Sequence, residues 1–280
     1  MKVFKTKAQV TNELSALKTN NSLGFVPTMG ALHQGHLSLI KHSQEQCDLT
    51  LVSIFVNQRQ FNNSTDFTKY PRTLEEDLQK LEEIGVDFVF CPESNSEVYP
   101  DDFTPIPLDL GGIDLKLEGE FRPGHFQGVI DVIYQFFKIL APNKAFFGVK
   151  DFQQYRIIEL LAHKYFTNIE VIGIETERET SGLAMSSRNK RLSPDGLVKA
   201  KALHEKMESL NHTEPKELIS KLASAKQELE QNGFEVEYLE IVNSSDLQPV
   251  TSIDAEGEYR VFVAAHLEGV RLIDNIPLKL

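Results

Sequence analysis

Short apolar strands alternate with amphipathic helices over the first two-thirds of this chain, and this alternation constrains its fold more than any other feature. The run Leu49–Val56 reads LTLVSIFV, a pattern typical of a strand buried on both faces of a sheet. Strands separated by helices form parallel βαβ units, so the sequence predicts an α/β fold with a doubly wound parallel sheet. The predicted strands of this sheet are Leu23–Val26, Leu49–Val56, Asp87–Cys91, Ala145–Phe147 and Ile169–Ile174.

The clearest predicted helix covers Thr73–Ile84, and Thr73 with Glu76 three residues later has the pattern of a capping box. The acidic run Glu75-Glu76-Asp77 could hold a divalent cation beside a nucleotide. Such a run more often forms a solvated helix face, and we favour that interpretation. The apolar face of the predicted helix consists of Leu74, Leu78, Leu81 and Ile84.

The composition changes near Glu175, where a polar segment replaces the core pattern. We therefore predict two domains, residues 1–175 with the parallel sheet and residues 176–280 as a smaller α+β C-terminal lid domain. Because ligand clefts often lie between domains, we expect the polar segment 175–190 to line a site. The predicted elements of the second domain are a helix beginning at Ser193-Pro194, a helix over Glu214–Gln231, and strands over Phe234–Val242 and Tyr259–Ile273 with a hairpin turn at Glu268-Gly269.

The charge and cysteine content exclude several classes of protein. With 29 Lys and Arg against 41 Asp and Glu, the net charge is −12, which argues against nucleic acid as the main ligand. The two cysteines, Cys47 and Cys91, cannot form a disulfide framework or a Cys-rich zinc site. No apolar run approaches the roughly 20 residues that span a bilayer, and residues 1–10 show no secretion signal, so we expect a cytoplasmic protein that does not bind membranes.

The segment Val26–His36, VPTMGALHQGH, lies where the first predicted strand passes into a helix. Ligands bind at the carboxyl ends of parallel strands, and a helix N-terminus favours a phosphate. His33 and His36 are three residues apart, so both can face one bound anion. H-x-x-H alone more often marks two surface histidines; its position at a strand end favours a binding role.

Four further polar segments contain candidate binding residues. Lys150 could meet a phosphate at a helix start, whereas Asp151 could serve as a helix cap, accept a ribose hydroxyl, or do both. Ser186, Ser187 and Arg188 make a compact anion receptor, although a Ser-rich polar loop can contain an Arg by chance. The remaining candidates are supported only by their position, just after a buried strand for Asn57 and Gln60 and just before a buried helix for Arg122 and His125.

Seven segments in the same order resemble the pantothenate synthetase (pantoate–β-alanine ligase) family, which belongs to the nucleotidyltransferase superfamily. The family has a Rossmann-like core and an H-x-G-H-type motif, present here as His33-Gln-Gly-His36. The carrying segments are VPTMGALHQGH (26–36), VSIFVNQRQF (52–61), YPRT (70–73), RPGHFQGV (122–129), FGVKDFQQ (147–154), GLAMSSRN (182–189) and RLIDN (271–275).

The resemblance implies an ATP-dependent condensation of (R)-pantoate with β-alanine to pantothenate, a coenzyme A precursor. The carboxylate of pantoate attacks the α-phosphorus of ATP, and the resulting pantoyl adenylate is attacked by the amine of β-alanine, with release of pyrophosphate and AMP. The resemblance also implies Mg²⁺, with unknown protein ligands, and a homodimer. The protein supplies no covalent nucleophile in this scheme and acts by positioning and electrostatic stabilisation.

Site residues are carried over from the matching segments only. His36 is the implied proton donor, and the implied catalytic set also contains His33, Lys150, Arg188, Ser186 and Ser187. The implied ATP site consists of Met29, Gly30, Ala31, Leu32, His33, Gln34, Gly35, His36, Gly148, Val149, Lys150, Asp151, Glu177, Met185, Ser186, Ser187 and Arg188. The implied site for pantoate and β-alanine consists of Gln60, Gln154, Asn57, Arg122 and His125.

Three residues depart from the family pattern. Gln58 replaces a proline that would pre-set the turn presenting Gln60, Val149 replaces an acidic residue, and Ser181 replaces an Asp. These departures bear on substrate affinity more than on activity. Two alternatives stay open: an adenylating enzyme for another acid, and a catalytically silent relative that binds nucleotide. Both histidines, Lys150 and Arg188 argue against the silent relative.

Overall fold

The computed structural model describes residues 1–62, 64–254 and 256–279, and the chain divides into two compact units. The first unit comprises Met1–Val149 and Gln153–Glu175, and the second comprises Lys150–Phe152 and Thr176–Leu280. Within the described ranges, no helix is both long and apolar enough to cross a membrane.

The first unit is built on a six-stranded parallel sheet with helices, which confirms the predicted fold class. Its strands are β1 (Lys2–Phe4), β2 (Leu23–Thr28), β3 (Leu49–Ile54), β4 (Phe88–Phe90), β5 (Lys144–Gly148) and β6 (Glu170–Ile174), in the order β1-β4-β3-β2-β5-β6. Its helices are α1 (Lys7–Leu17), α2 (Gln34–Gln46), α3 (Ser64–Lys69), α4 (Leu74–Glu83), α5 (Glu118–Phe121), α6 (His125–Leu140) and α7 (Phe152–Tyr165).

The central strands are buried on both faces, as the apolar run in β3 predicts. Phe25, Val26, Leu51 and Val52 are fully buried. Helix α6 covers one face of this sheet with aromatic rings, and the rings of Phe25 and Phe136 meet edge to face at 5.6 Å. Buried apolar surface of this kind is the main term that stabilises the sheet.

Strand β2 continues through Pro27 to Thr28, two residues beyond its predicted end at Val26. The Thr28 carbonyl accepts the Phe55 N–H at 3.0 Å, so Thr28 faces β3. Because alternate residues of a strand face opposite neighbours, Pro27 faces β5, where its missing N–H costs no ladder bond to β3. A proline therefore fits inside this central strand.

Helix α4 begins as predicted, but its first turn differs from the predicted capping box. The Thr73 side chain makes no cap hydrogen bond and instead donates to Asp77 Oδ2 at 3.1 Å. Leu81 is fully buried, whereas Leu74 is 44% exposed and lies off the apolar face. Asp77 is fully buried, so the interpretation of the acidic run as a solvated face is wrong for that residue.

The second unit contains an antiparallel three-stranded sheet covered on one face by helices. The predicted hairpin turn at Glu268-Gly269 is confirmed, with positive φ at both residues (52° and 71°). Ser193 caps the predicted helix by accepting the Gly196 N–H at 2.9 Å. The strands are β7 (Glu235–Asn243), β8 (Tyr259–Leu267) and β9 (Val270–Leu278), in that order, and the helices are α8 (Pro194–Ala200), α9 (Ala202–Leu210) and α10 (Leu218–Gln231).

Candidate active site

The parallel sheet has its switch point beside β2, because the chain builds β3 and β4 on one side of β2 and β5 and β6 on the other. Strands β2 and β5 pair only at Gly24↔Lys144 and Phe25↔Ala145, although both run three residues further. Pro27 removes the next donor on the β5 side. The carboxyl ends of the two strands are therefore not paired with each other at the switch point, where doubly wound sheets bind ligands.

The turn that follows β2 has two consecutive residues with positive φ, Gly30 (79°) and Ala31 (52°). A buried carboxyl group holds this turn: Asp77 accepts the Ala31 N–H at 2.8 Å and the Leu32 N–H at 2.7 Å. Lys80, one turn further along α4, donates to the Leu32 carbonyl at 2.9 Å. Hydrogen bonds to a charged acceptor are among the stronger ones, which offsets the strain of a non-glycine residue at positive φ.

His33 and His36 lie together at the N-terminus of α2, with ring centroids 4.1 Å apart. His33 Nδ1 accepts the Gly35 N–H at 3.2 Å, and His36 Nδ1 accepts the His33 N–H at 3.3 Å. A ring nitrogen that accepts a hydrogen bond carries no proton, so in each neutral ring the proton lies on Nε2. Both rings can therefore donate to an anion from Nε2 while their Nδ1 atoms fix their orientation.

The remaining predicted nucleotide residues of the first unit are divided between two strand ends. Met29 and Leu32 belong to the turn after β2, where Leu32 is buried, and Gln34 and Gly35 form the first turn of α2. Gly148 ends β5, and Val149 begins the helical turn Val149–Asp151. All of these residues lie at the carboxyl ends of the two neighbouring strands.

Four predicted residues form one hydrogen-bonded group after β3. Asn57 Nδ2 donates to Gln60 Oε1 at 3.1 Å, and Gln60 Nε2 lies 3.2 Å from the Met29 sulfur. His125 Nδ1 donates to the Gln60 carbonyl at 2.8 Å. Asn57, Gln60 and His125 are all buried. The structure thus joins a predicted substrate residue, Gln60, to a predicted nucleotide residue, Met29.

Two residues outside the predicted set hold Gln60 in place. Tyr99 donates its hydroxyl to Asn57 Oδ1 at 2.9 Å, and burial raises the pKa of this phenol, which keeps it a donor. A Cβ on Gly128 would lie 2.3 Å from the Arg59 carbonyl oxygen and 2.6 Å from Gln60 Cα. Gly128 in α6 therefore permits the close approach of the turn that carries Gln60. The RPGHFQGV segment contains this glycine, but the sequence does not reveal its partner.

The other two predicted substrate residues make different contacts. Arg122 Nη1 lies 3.4 Å from Glu118 Oε2, and Gln154 is half-buried in the first turn of α7. Its neighbour Gln153 is buried and donates to the Ile113 carbonyl at 2.6 Å, and it accepts the Glu118 N–H at 3.1 Å. Gln153 therefore fixes the stretch before Arg122, a structural role that the sequence did not indicate.

The second unit holds the other predicted phosphate-binding groups. Lys150 Nζ lies 3.9 Å from Asp151 Oδ2, and the lysine side chain is only 18% exposed. The Met185 N–H donates to the Glu177 carbonyl at 2.9 Å, which closes a hairpin whose return arm leads to the serines. Ser186 Oγ accepts the Arg188 N–H at 3.2 Å and begins the turn Ser187–Arg191. The Ser-Ser-Arg segment is thus a hydrogen-bonded turn.

A protein-only metal site is absent from the described part of the chain, where no three His, Cys, Asp or Glu side chains come together in a suitable group. Asp77, the one buried acid of the 75–77 run, already accepts hydrogen bonds on both oxygens. The acidic run therefore does not provide a preformed cation site.

Comparison with known proteins assigns the chain to a family. The family profile described as Pantoate-beta-alanine ligase matches residues 2–277. A pantothenate synthetase from Christiangramia forsetii is 42% identical over 99% of both chains, and one from Flavobacterium psychrophilum is 39% identical over the full length of both.

Solved structures agree with this assignment. The crystal structure of pantothenate synthetase from Thermus thermophilus matches with a TM-score of 0.91 and 35% identity over all of both chains. The ligase from Francisella tularensis, in a complex described as containing beta-gamma ATP and beta-alanine, matches with a TM-score of 0.84 and 35% identity over 99% of this chain and 97% of its own. The chain is therefore an enzyme that belongs to the pantothenate synthetase, or pantoate–β-alanine ligase, family.

Proposed function

We propose that this enzyme condenses (R)-pantoate with β-alanine at the expense of ATP, through a bound pantoyl adenylate. The observation that carries the proposal is the pair His33 and His36 at the switch point of the sheet, each with Nδ1 accepting a backbone N–H. Two fixed Nε2–H donors at a helix N-terminus suit the phosphates of a nucleotide. The family match and the nucleotide complex of the Francisella tularensis relative support the choice of ATP.

In the first step a carboxylate oxygen of pantoate attacks the α-phosphorus of ATP. A new P–O bond forms, the bond from the α-phosphorus to the bridging oxygen breaks, and pyrophosphate leaves with the electron pair. We assign the Nε2–H of His36 as the donor toward the phosphates, assisted by His33. Lys150, Ser186, Ser187 and Arg188 offset the repulsion between the two anions, and one such donor is typically worth ~100- to 1,000-fold in rate.

In the second step the neutral amine of β-alanine attacks the acyl carbon of the adenylate. A C–N bond forms, the C–O bond to AMP breaks, AMP leaves with the electron pair, and the amine nitrogen loses one proton to water. We assign Gln60 and Gln154 to pantoate, with Gln60 also meeting β-alanine, and we place Asn57, Arg122 and His125 around them. The contact of Gln60 with Met29 supports this assignment, because Met29 follows β2 directly beside the proposed nucleotide site.

Magnesium enters this proposal as the counterion of ATP, where it would neutralise phosphate charge. The rest of the proposed nucleotide site consists of the backbone and side chains of Met29–His36, Gly148–Asp151, Glu177 and Met185–Arg188. The homodimer, the cytoplasmic location and the domain boundary at residue 175 belong to the same proposal. Light scattering of the purified protein tests the homodimer.

The direct test is a product assay on the full chain. The protein is incubated with ATP, Mg²⁺ and pantoate, with and without β-alanine, while pyrophosphate and AMP are measured. We expect bound adenylate and one equivalent of pyrophosphate without β-alanine, and continuous AMP formation with it. Activation of a different carboxylic acid would favour another adenylating enzyme, and tight ATP binding without any product would favour the silent relative.

The assigned roles are tested by two substitutions and a matched control. His36→Ala and Lys150→Ala should each slow adenylate formation ~100- to 1,000-fold while the protein stays folded. His36→Ala should also lose about 1 kcal/mol in the free energy of unfolding, because its ring accepts the His33 N–H. His42→Ala serves as the control, because His42 lies on the same helix with its ring on the Ser38 carbonyl. Full turnover in either active-site variant would refute the role assigned to that residue.

A further inference from the structure

The RLIDN segment, Arg271–Asn275, matches the family, but neither the residue patterns nor the proposed reaction gives it a role. It lies on β9, one of the two edge strands of the antiparallel sheet in the second unit. Consecutive residues of a strand face opposite sides of a sheet, so Asp274 and Asn275 point to different faces. In the register of β8 and β9, Asp274 lies opposite Val263, a residue of the apolar core, and Asn275 lies opposite Phe262. Both side chains are almost completely buried.

Asp274 holds the hairpin that leads to the Ser-Ser-Arg turn. Arg178 donates from Nη1 to Asp274 Oδ2 at 2.6 Å and from Nη2 to Asp274 Oδ1 at 3.0 Å, a two-point ion pair. The same Nη1 donates to the Gly182 carbonyl at 3.0 Å, and the backbones of Arg178 and Ala184 form an antiparallel β-bridge across the hairpin. The position of the hairpin base is therefore fixed by Asp274, and Met185 follows one residue after that bridge.

Asn275 holds the lysine segment from the other face of β9. Its Nδ2 donates to the Lys150 carbonyl at 2.8 Å, and its Oδ1 accepts from Arg260 Nε at 2.8 Å. The Arg260 guanidinium in turn lies 4.2 Å from the centroid of the Phe152 ring. The Asn275 side chain thus holds the Lys150 backbone directly through a hydrogen bond. It holds Phe152 indirectly, because it orients the Arg260 guanidinium that makes the cation–π contact.

We propose that Asp274 and Asn275 are positioning residues that hold Lys150 and the 186–188 turn at a fixed spacing on the two sides of one strand. The inference rests on the proposed function, since it takes both segments to act on the same triphosphate. The Asn275 N–H also donates to Asp274 Oδ1 at 2.8 Å, so the two supports are joined. Misplacing a binding group by about 1 Å can cost ~100-fold in rate, so such supports contribute to catalysis without touching substrate.

The test uses two near-isosteric substitutions. Asn275→Asp keeps an acceptor for Arg260 but replaces the donor to the Lys150 carbonyl with a repelling oxygen. Asp274→Asn keeps one oxygen but breaks the two-point pair with Arg178. We expect each to lower the rate of adenylate formation ~10- to 100-fold with less than a threefold change in the KM for ATP.

The matched control is Glu237→Gln. It removes the carboxylate partner of Arg271, which lies on β9 together with Asp274 and Asn275. The Glu237 carboxylate bonds to His266 and Arg271, which pair next to the hairpin turn of β8 and β9 and not at Asp274 or Asn275, so we expect the rate of this variant to stay within twofold of the wild type. Arg178→Lys is the conservative variant: it keeps the charge, loses the fork, and should show an intermediate rate. Rates for Asp274→Asn and Asn275→Asp equal to that of the control would overturn the proposal and leave the pair a fold-stabilising feature.

Amide hydrogen exchange separates this inference from the proposed reaction. Asp274→Asn should speed exchange in residues 177–189, and Asn275→Asp should speed it in residues 149–153, while the sheet amides of β8 stay protected. Uniform acceleration across the whole second unit would contradict a local positioning role. If the wild-type protein makes no pantoyl adenylate, the proposed function fails, and the exchange data still decide whether the two residues position these segments.

Discussion

The turn after β2 and the hairpin 177–185 are both held by a buried carboxyl group, but in different ways. Asp77 accepts two backbone N–H groups of the β2 turn directly, whereas Asp274 accepts the guanidinium of Arg178, which then reaches the hairpin backbone. Asp77 thus fixes the path of the backbone directly. Asp274 fixes the Arg178 side chain, which in turn holds the backbone through a hydrogen bond. We therefore expect the β2 turn to be the more sensitive of the two to loss of its carboxyl group.

Asp77→Ala should have the largest effect of the changes that probe this difference. It removes three accepted hydrogen bonds and leaves the buried Leu32 N–H and the partly buried Ala31 N–H without this acceptor, at a cost of about 4 kcal/mol in the free energy of unfolding. Adenylate formation should fall by more than ~100-fold, because His33 and His36 follow this turn. Urea unfolding and pyrophosphate release measure the two effects.

Glu76→Ala is the control for Asp77→Ala, since it alters the exposed neighbour on the same helix. Its unfolding free energy should change by less than about 0.5 kcal/mol. A similar loss in the two variants would show that the burial of Asp77 does not matter.

The glycines of the two turns offer the next comparison. Gly182 has φ +88°, and an added Cβ would lie 2.6 Å from His204 Cδ2. Gly182→Ala combines left-handed backbone strain with this overlap, so we expect a loss of about 2 to 3 kcal/mol. Differential scanning calorimetry measures the loss, and a second substitution, His204→Ala, should relieve the part that comes from the overlap.

Gly30→Ala should cost less than Gly182→Ala. Its φ of +79° carries a similar strain, but an added Cβ would lie 3.1 Å from Asp77 Oδ2 and 3.2 Å from Ile54 Cγ2. We expect about 1 to 2 kcal/mol in the same calorimetric experiment. The reverse order of the two glycines would show that the β2 turn is the tighter of the two.

A smaller and pH-dependent effect is expected at Glu237 in the second unit. Burial opposes its ionisation, but hydrogen bonds from Arg271 and His266 dominate and lower the pKa of this carboxyl. The unfolded chain therefore binds more protons than the folded chain, so the ionised Glu237 stabilises the fold. This stabilisation is present above the usual pKa near 4.3 and is lost as the pH falls through the lower pKa that Glu237 has in the folded state. Glu237→Gln should reduce the free energy of unfolding by roughly 1 kcal/mol at pH 7.

The acid dependence provides the check on Glu237. Urea unfolding of wild type and Glu237→Gln should differ at pH 7 and converge as the pH falls below about 4. A difference that stays constant over this range would show that the ionisation of Glu237 makes no net contribution.

Gln58→Pro should have the smallest effect. The turn Gln58–Gln60 already forms with Asn57 as its cap, and Gln60 is held by His125 and Asn57. Proline at the first position of such a turn reduces the entropy of the unfolded chain, so we expect a gain of about 0.5 kcal/mol and at most a twofold fall in the KM for pantoate. A large fall in this KM would show that the natural turn is loose.

Local patterns were sufficient to predict most elements, the parallel sheet and the segments that match the family, but they missed the edge strand β1 and the short helices α3 and α5. The alternation of apolar runs and helices predicted the parallel sheet, and the turn residues Glu268-Gly269 predicted the second hairpin, because both depend on residues adjacent in sequence. The same local rules also misplaced details. They ended β2 at Val26, although its pairing with β3 continues to Thr28, and they assigned a capping box to Thr73, whose side chain bonds to the buried Asp77 instead.

The sequence by itself predicted which residues carry the chemistry: two histidines after a strand, a lysine after another, and a Ser-Ser-Arg turn. Only the tertiary structure decided how those residues are held. Asp77, Gly128, Gln153 and Asp274 act through contacts with residues 35 to 96 positions away. A buried Asp and a solvated Asp look the same in the sequence. The partners of a buried acid depend on packing between distant parts of the chain, which local residue spacing does not indicate.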